Sequence, residues 1–508
     1  MRFRLTFALL TCMVPLWGDA VEAAREYRSA RGPEILRQFA EMLAIPNVAS
    51  DATGIRRNAD YLVEQFRARG VAMKLLTLPG APPIVFGEMK SAGATRTLGV
   101  YVHYDGQPTD PATWITAGPW NPELYSGRHD QGGKPIAFPK PGEPVDAEWR
   151  IYGRSAGDDK APLMALLAVL DVLRQQKIQP AWNIKFFFDG EEEAGSPHLE
   201  EYLRTYRGDV DDIDLWLFCD GPVHQSRRPQ VLFGVRGITG LEVTVYGANR
   251  PLHSGHYGNW APVPGLALAH LLASMKDESG RVLVEGFYDT TTPLGDEERA
   301  ALARLPNYDD ELRRELGLAA TEVGNASLNE RILLPALTIR GISSGNTGEL
   351  TRNIIPATAT AALGIRLVAG NDPEHMAGLV EEHIRRQGFH IVREDPDLDT
   401  RLTHAKIAKV VRDRGYPAAR TPMNNPLARP VIAAVNRVLE QPALEVPTLG
   451  GTLPLYLFTD VLQKPVLILP IANHDNNQHA ENENLRVANL WYGIDVFAAV
   501  LTGVEGIE

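Results

Sequence analysis

Four short apolar runs, each breaking off into acidic, histidine or hydroxyl residues, constrain this chain more than any other feature. They are Leu98 to His103 (LGVYVH), Trp149 to Tyr152 (WRIY), Trp182 to Phe188 (WNIKFFF) and Leu215 to Cys219 (LWLFC). All are rich in β-branched and aromatic residues and too short for a helix, which is the pattern of buried strands. Helix-like runs intervene, the clearest from Leu163 to Leu170. Strands alternating with helices predict an α/β fold, a mostly parallel sheet flanked by helices. In such sheets functional groups collect just past the carboxyl ends of the strands. There the sequence places His103 and Asp105, then Ser155 to Asp159, then Glu191 to Glu193, then Asp220.

At 508 residues the chain exceeds one ordinary domain. Its character changes near Gly237. Residues 238–246 alternate as a half-exposed strand does, Pro264 to Met275 reads as a helix, and Ala336 to Arg340 and Ala359 to Val368 read as strands. A helix follows from Pro373 to Gln387. The α/β pattern resumes with a helix from Leu427 to Gln441, a strand from Val466 to Pro470 and a helix from Leu485 to Thr502. The expected organisation is one catalytic domain in two parts, 24–236 and 413–508, interrupted by an inserted α+β domain over 237–412. Residues 24–75 read as helical, and 106–148, rich in Pro and Gly, as an extended loop.

A net charge of −12 argues against a nucleic-acid partner. Arg2 and Arg4 precede an apolar run to Trp17, with small residues after it at Gly18, Ala20, Ala23 and Ala24. That order is the pattern of a secretory signal over residues 1–23, cut after Ala20 or Ala23, and it predicts an exported protein, periplasmic or secreted. Cleavage would leave Cys219 alone, so cysteine usage gives export no support. No later run is long and apolar enough to span a membrane.

The polar strand ends suggest metal chemistry. His103 and Asp105 are two apart and share a side of a strand, so the carboxylate can steady the imidazole. Asp158 can bridge metals or cap the helix that follows, and Asp159 suits that helix's first turn. Glu191, Glu192 and Glu193 repel one another unless a cation or proton lies among them, or else form a solvated acidic turn. His479, with His474 as competitor, sits in an acidic, amide-rich loop. Carboxylates and imidazoles suit Zn, Mn or Co. Two such ions polarise a carbonyl and generate hydroxide near neutral pH, and a carboxylate that does not ligate can serve as base.

Taken in order, H-x-D (His103, Asp105), GRSAGDDK, EEEAGS, CD (Cys219, Asp220), LHSG (Leu252 to Gly255) and HAENE (His479 to Glu483) resemble the M20 metallopeptidases, in particular the cytosolic nonspecific dipeptidase and carnosinase branch. The resemblance implies a phosphorylase/hydrolase-like catalytic domain with an inserted lid and dimerisation domain. It implies two divalent ions, zinc first, with manganese or cobalt as alternatives. His103 and Asp220 would hold one, Glu193 and His479 the other, with Asp158 bridging and the Asp158–Asp159 peptide cis. Glu192 would be the general base, Asp105 the residue that orients His103, and Glu191 a bystander. His253 would reach the partner subunit's site in a homodimer. Arg366 would hold the substrate's terminal carboxylate, although a polar-face strand residue is the plainer reading of it. Gly450, Gly451 and Thr452 would contact the substrate backbone. Ser155 and Ala161 stand where the family commonly has glycine.

The implied reaction is hydrolysis of the amide bond in dipeptides or short peptides with a free carboxyl terminus. N-acyl-amino-acid deacylation or desuccinylation would use the same residues. A third reading takes Gly153-x-Ser155-x-Gly157 as a nucleophile elbow, with Asp220 and His479 completing a serine hydrolase. A non-catalytic binding protein on the same scaffold would be expected to lack a ligand or the base, and neither is missing.

Overall fold

The computed structural model describes residues 17–504 except Val323 and Asn325. A first helix, α1 (Trp17–Leu43), leads to α2 (Ala52–Ala68), whose N-cap Asp51 accepts the N–H groups of Thr53 and Gly54. Six strands are then laid down: β1 (Ala72–Leu76), β2 (Ile84–Met89), β3 (Thr97–His103), β4 (Asn183–Asp189), β5 (Leu215–Phe218) and β6 (Gln230–Leu232), with α3 (Lys160–Gln176) between β3 and β4. The inserted region follows. Its strands are β7 (Gly237–Tyr246), β8 (Ala336–Ser343), β9 (Thr358–Leu367), β10 (His390–Val392) and β11 (Ile407–Arg412), with helices α4 (Pro264–Met275) and α5 (Pro373–Arg386). The chain returns through α6 (Ala428–Arg437), β12 (Leu444–Val446), β13 (Val466–Ile468) and α7 (Val487–Gly503).

The main sheet runs β1-β2-β4-β3-β5-β13-β6-β12. Its centre, β4-β3-β5-β13, is parallel, and so is the outer pair β6 and β12. The side chains alternate between two cores. Val100, Val102, Phe186, Phe188 and Leu217 face α1, α2, α3 and α7, whereas Tyr101, Phe187, Trp216 and Phe218 pack with Tyr202 and Phe458 on the other face. The inserted sheet runs β8-β9-β7-β11-β10 and is antiparallel except for β10 with β11. Helices α4 and α5 bury their apolar faces against it. Both crossings between the two bodies lie side by side, where Gly234 and Val235 pair with Ala419 and Arg420. The chain is therefore α/β with an inserted α+β domain, the class expected from the alternating runs.

Several local expectations need correction. The run at Trp149 to Tyr152 is not in the main sheet. Residues 150–152 pair instead with 484–486 and 123–125, and 135–136 completes that small sheet. The stretch read as loop over 106–148 thus contains two strands. Residues 72–75 are strand, not helix. The first helix of the stretch read as helical over 24–75 begins earlier, at Trp17, and carries Pro33 inside it. The basic and apolar residues before Trp17 lie outside the described residues.

The inserted domain has one strong polar tie. Glu381 on α5 is buried, and its two oxygens accept Nη1 and Nη2 of Arg393 at 2.7 and 2.8 Å and Nε of Arg412 at 2.8 Å. Burial alone would raise this carboxyl; the arginine hydrogen bonds outweigh it and hold the pKa at about 2, below the ordinary 4.5. A depressed carboxylate pKa stabilises the fold above the unfolded value, and that stability is lost as pH falls from about 4.5 toward 2. Glu381→Gln is expected to cost the inserted domain about 1.5–3 kcal/mol, the range for hydrogen bonds to charged groups. Urea unfolding at pH 7 checks this, and the deficit should shrink as the pH is lowered toward 3.

Candidate active site

The parallel centre of the main sheet builds the site. His103 is the last residue of β3 and lies opposite Asp189 of β4, so the turn carrying Glu191 to Glu193 starts beside it. β5 ends at Phe218 and delivers Asp220 two residues on. Asp158 arrives from the small sheet, on the loop that enters α3. His479 comes from the loop that follows β13.

Asp158 lies between the two histidines. Its Oδ1 is 2.8 Å from His103 Nε2, and its Oδ2 is 3.2 Å from His479 Nε2. His479 Nε2 is also 3.3 Å from Glu193 Oε2, which accepts a hydrogen bond from Gln107 Nε2 at 2.8 Å. Asp220 Oδ2 is 3.9 Å from His103 Nε2. Asp105 faces His103 Nδ1 at 3.4 Å and accepts the N–H groups of both Glu192 and Glu193 at 3.1 Å, which ties the acidic turn to β3. The Asp158–Asp159 peptide bond is cis, as the motif resemblance implies. Asp159 was expected as a plain first-turn residue. It is the N-cap but makes no side-chain cap bond; it is buried and accepts the His103 N–H at 3.3 Å.

Two groups of donor atoms result: His103, Asp159 and Asp220, and Asp158, Glu193 and His479, each within 4.8 Å. His103 Nδ1 and Asp158 Oδ2 are buried without completing a hydrogen bond. Burial and the charge of Asp158 push Glu193 up to about 8 and Asp220 up to about 6. Burial also drives Glu192 well up, with Asp220 and Glu193 adding to it against the opposing pull of His103. Asp158 is held low despite burial by the imidazoles of His103 and His479, and the nearby Asp158 carboxylate raises His479 to about 9. Carboxylates crowded this closely are the environment a divalent cation relieves. Oxygen and imidazole donors suit a borderline or hard metal, and Cys219 stays in the core below. These residues fit a metal ion.

A cleft of about 510 Å³ opens from this cluster. Asp158, Glu192, Glu193, Asp220 and His479 line it, together with Arg366, Tyr416, Gly451 and Thr452. Arg366 Nη1 donates to Thr452 Oγ1 at 3.1 Å. Gly450 is next to the cleft but not on its wall. His253 is not on the wall either. It is exposed, its Nδ1 accepts the Gly255 N–H at 3.1 Å, and its ring lies 4.5 Å from that of His256. A smaller apolar cavity of about 310 Å³ lies in the inserted domain near Val282, Leu312 and Leu337, and none of its residues belongs to a donor group.

The serine-hydrolase reading does not survive the geometry. Ser155 is fully buried, receives a hydrogen bond from Asn47 Nδ2 at 2.8 Å and donates to the Asp105 carbonyl at 3.3 Å. Its proposed partners Asp220 and His479 are in the carboxylate cluster instead. Sequence reasoning missed Gln107, Tyr416 and Asp159. Only Asp159 had a signal, its place in the acidic pair; nothing local marks the other two.

Comparison with known proteins gives the family. The sequence matches peptidase family M20/M25/M40 over residues 99–503. It is 26% identical over 491 residues to the Cys-Gly metallodipeptidase DUG1 of Candida albicans, covering 92% of this chain and 94% of the relative. It is 27% identical over 436 residues to the Beta-Ala-His dipeptidase of Homo sapiens, covering 82% and 76%. The M20 family metallo-carboxypeptidase Sso-CP2 from Sulfolobus solfataricus superposes with a TM-score of 0.75 at 27% identity, covering 92% of this chain and 98% of that one. Human carnosine dipeptidase 1 shares the fold, with a TM-score of 0.71 at 22% identity over 96% of this chain and 99% of its own.

The expectation of an exported protein, periplasmic or secreted, does not stand. The fungal Cys-Gly metallodipeptidases among these relatives are cytosolic enzymes. The cut expected after Ala20 or Ala23 would also fall inside α1, where Ala20 and Ala24 are buried and Arg25 and Arg28 pair with Asp495 of α7. The match spans most of the sequence, and the donor cluster lies wholly within it: this chain belongs to peptidase family M20/M25/M40.

Proposed function

We propose that this chain is a metal-dependent dipeptidase that hydrolyses the amide bond of dipeptides and short peptides with a free C-terminal carboxylate. The observation that carries the reading is Asp158, one oxygen on His103 and the other toward His479. Two divalent ions, zinc first and manganese or cobalt next, would be held by His103 and Asp220 on one side and by Glu193 and His479 on the other, with Asp158 between. When bound, such ions polarise the scissile carbonyl and lower the pKa of the attacking water. Glu192, inside the cleft but in neither donor group, takes the water's proton and passes it to the leaving amine. Asp105 steadies His103 and the acidic turn together. Arg366, on the cleft wall and braced by Thr452, takes the terminal carboxylate as a fork. Gly451 and Thr452, which line the cleft, carry the substrate backbone, and Gly450, off the wall, has no contact to make in this chain.

The working unit in this reading is a homodimer. Two features support it. The inserted sheet ends on β8, where Ile339 and Ile342 are 43% and 64% exposed on an open edge, an arrangement that invites pairing with another strand. His253 lies off the cleft of its own chain, which leaves it to serve the partner's site.

Chelation followed by a substrate panel tests the reading. A chelator should abolish activity, and zinc, manganese or cobalt should restore it. Dipeptides should be cleaved, and their C-terminal amides should lose about 10- to 100-fold in kcat/KM, the value of a charged hydrogen bond. Activity that survives complete metal removal would overturn the metal chemistry. Equal cleavage of amides would overturn the role of Arg366, and preference for N-acyl amino acids would favour the deacylase alternative.

A further inference from the structure

The loop that carries His479 ends on Glu483, a buried carboxylate that belongs to neither donor group. Both of its oxygens are turned to the loop that carries Asp158. Oε2 accepts the Ser155 N–H at 2.9 Å and Nη1 of Arg154 at 2.8 Å. Oε1 accepts the N–H groups of Gly157 and Asp158, both at 2.9 Å. The Glu483 carbonyl takes one more, the Gly153 N–H, at 3.0 Å. Four of the six backbone N–H groups from Gly153 to Asp158 therefore end on this one residue.

The sequence arranges this convergence. Residues 484–486 pair antiparallel with 150–152, Asn484 opposite Tyr152, so Glu483 falls beside Gly153 where the loop begins. Gly157 lets the loop close on its neighbours, because a Cβ there would lie 3.0 Å from the Asn476 side chain. A carboxylate is tolerated at such depth only when it is paired and fully hydrogen-bonded, and Arg154 with three backbone donors meets that condition. Glutamine has the same shape but would set its own N–H groups against backbone donors. Four residues before Glu483, His479 reaches Asp158 Oδ2 at 3.2 Å. One short segment thus supplies both a donor to the second group and the anchor for the residue between the groups.

We propose that Glu483 is a positioning residue whose carboxylate holds the 153–158 loop, so that Asp158 and His479 keep the separation a shared metal requires. This rests on the metal-dependent reading above.

The test compares wild type, Glu483→Gln and Glu483→Asp as full-length chains. Hydrogen exchange is measured on metal-free protein over residues 153–158, zinc affinity by titration, and kcat and KM on a dipeptide at limiting and saturating zinc. Glu483→Gln should lose about 10-fold or more of the exchange protection over 153–158 and bind zinc about 10- to 100-fold more weakly, the cost of losing a partner behind a ligand. Its kcat should recover at saturating zinc with KM unchanged. Glu483→Asp keeps the charge at shorter reach and should fall between, and it carries the test if the glutamine variant does not fold. A folded variant with wild-type zinc affinity and wild-type protection over 153–158 overturns the proposal. So does weakened affinity with protection intact. A wild type that binds no zinc would sink the metal-dependent reading, while the exchange comparison would still report on the anchor.

Discussion

Glu192→Gln is expected to lower kcat on a dipeptide by about 10²–10⁴-fold, the range for a positioned general base, and to leave the bound metal in place. The two effects separate because of where Glu192 sits. Its backbone N–H is tied to Asp105 at 3.1 Å, and its side chain lines the cleft, yet it supplies no atom to either donor group. Glutamine keeps the shape and removes the basicity. KM should move little, since in this reading Arg366 and Thr452, not Glu192, hold the substrate's terminal carboxylate. Metal content by elemental analysis and steady-state kinetics check both halves. Full activity would remove Glu192 from the mechanism, and loss of metal would make it a ligand. The same variant probes the dimer. His253→Ala should also be inactive, and mixed subunits of the two variants should regain activity, because each mixed pair holds one site with an intact Glu192 and an intact His253 from the neighbour. No recovery in demonstrably mixed dimers would return His253 to a surface role.

The parts of this fold that were legible in the sequence are those fixed by local chemistry. α4 begins and ends where Pro264 and Met275 said it would, because proline suits a first helical turn and the apolar residues that follow keep helical spacing. β3, β4 and β5 were visible as apolar runs, and residues past their ends are among those the structure gathers into the donor groups and the cleft. What was not legible depends on partners far away in the chain. The run at 149–152 has a strand's composition, but nothing in it says that its neighbour is 484–486. β1 is built of Ala72, Met73, Lys74, Leu75 and Leu76, good helix formers overruled by pairing with β2. β11 is interrupted by Lys409 and ends on Arg412, which hid an otherwise apolar strand. Gln107 and Tyr416 are ordinary loop residues in sequence, and only the folded chain shows that Gln107 bonds Glu193 and that both line the cleft. The Gly153-x-Ser155-x-Gly157 pattern, the remote alternative as a nucleophile elbow, has another use: its small residues serve a tight loop anchored on Glu483, not an exposed nucleophile.

Asp158→Asn should have the larger effect on metal, and it should be one that added metal does not repair. Glu483 acts on Asp158 from behind, so its loss weakens the site and leaves the ligand present. Among the described residues, Asp158 is itself the carboxylate with an oxygen toward both histidines, 2.8 Å to His103 and 3.2 Å to His479. Asparagine keeps one acceptor and turns an N–H₂ toward the other half, so one side loses its oxygen and gains a donor. Zinc affinity should fall by more than the roughly 100-fold that marks the limit for a partner behind a ligand, with dipeptidase activity lost at every zinc concentration. Thermal unfolding gives a readout independent of turnover. In the wild type, a metal at 100 times its Kd stabilises the fold by about 2.7 kcal/mol, and that metal-dependent rise in Tm should vanish in Asp158→Asn. The metal-free variant should melt no lower than the metal-free wild type by a wide margin, because removing this charge also relieves Glu193 and Asp220, both of which it pushes upward. A variant that still gains Tm with zinc and still turns over would show that the two halves of the site bind metal independently, and the bridging role of Asp158 would fall.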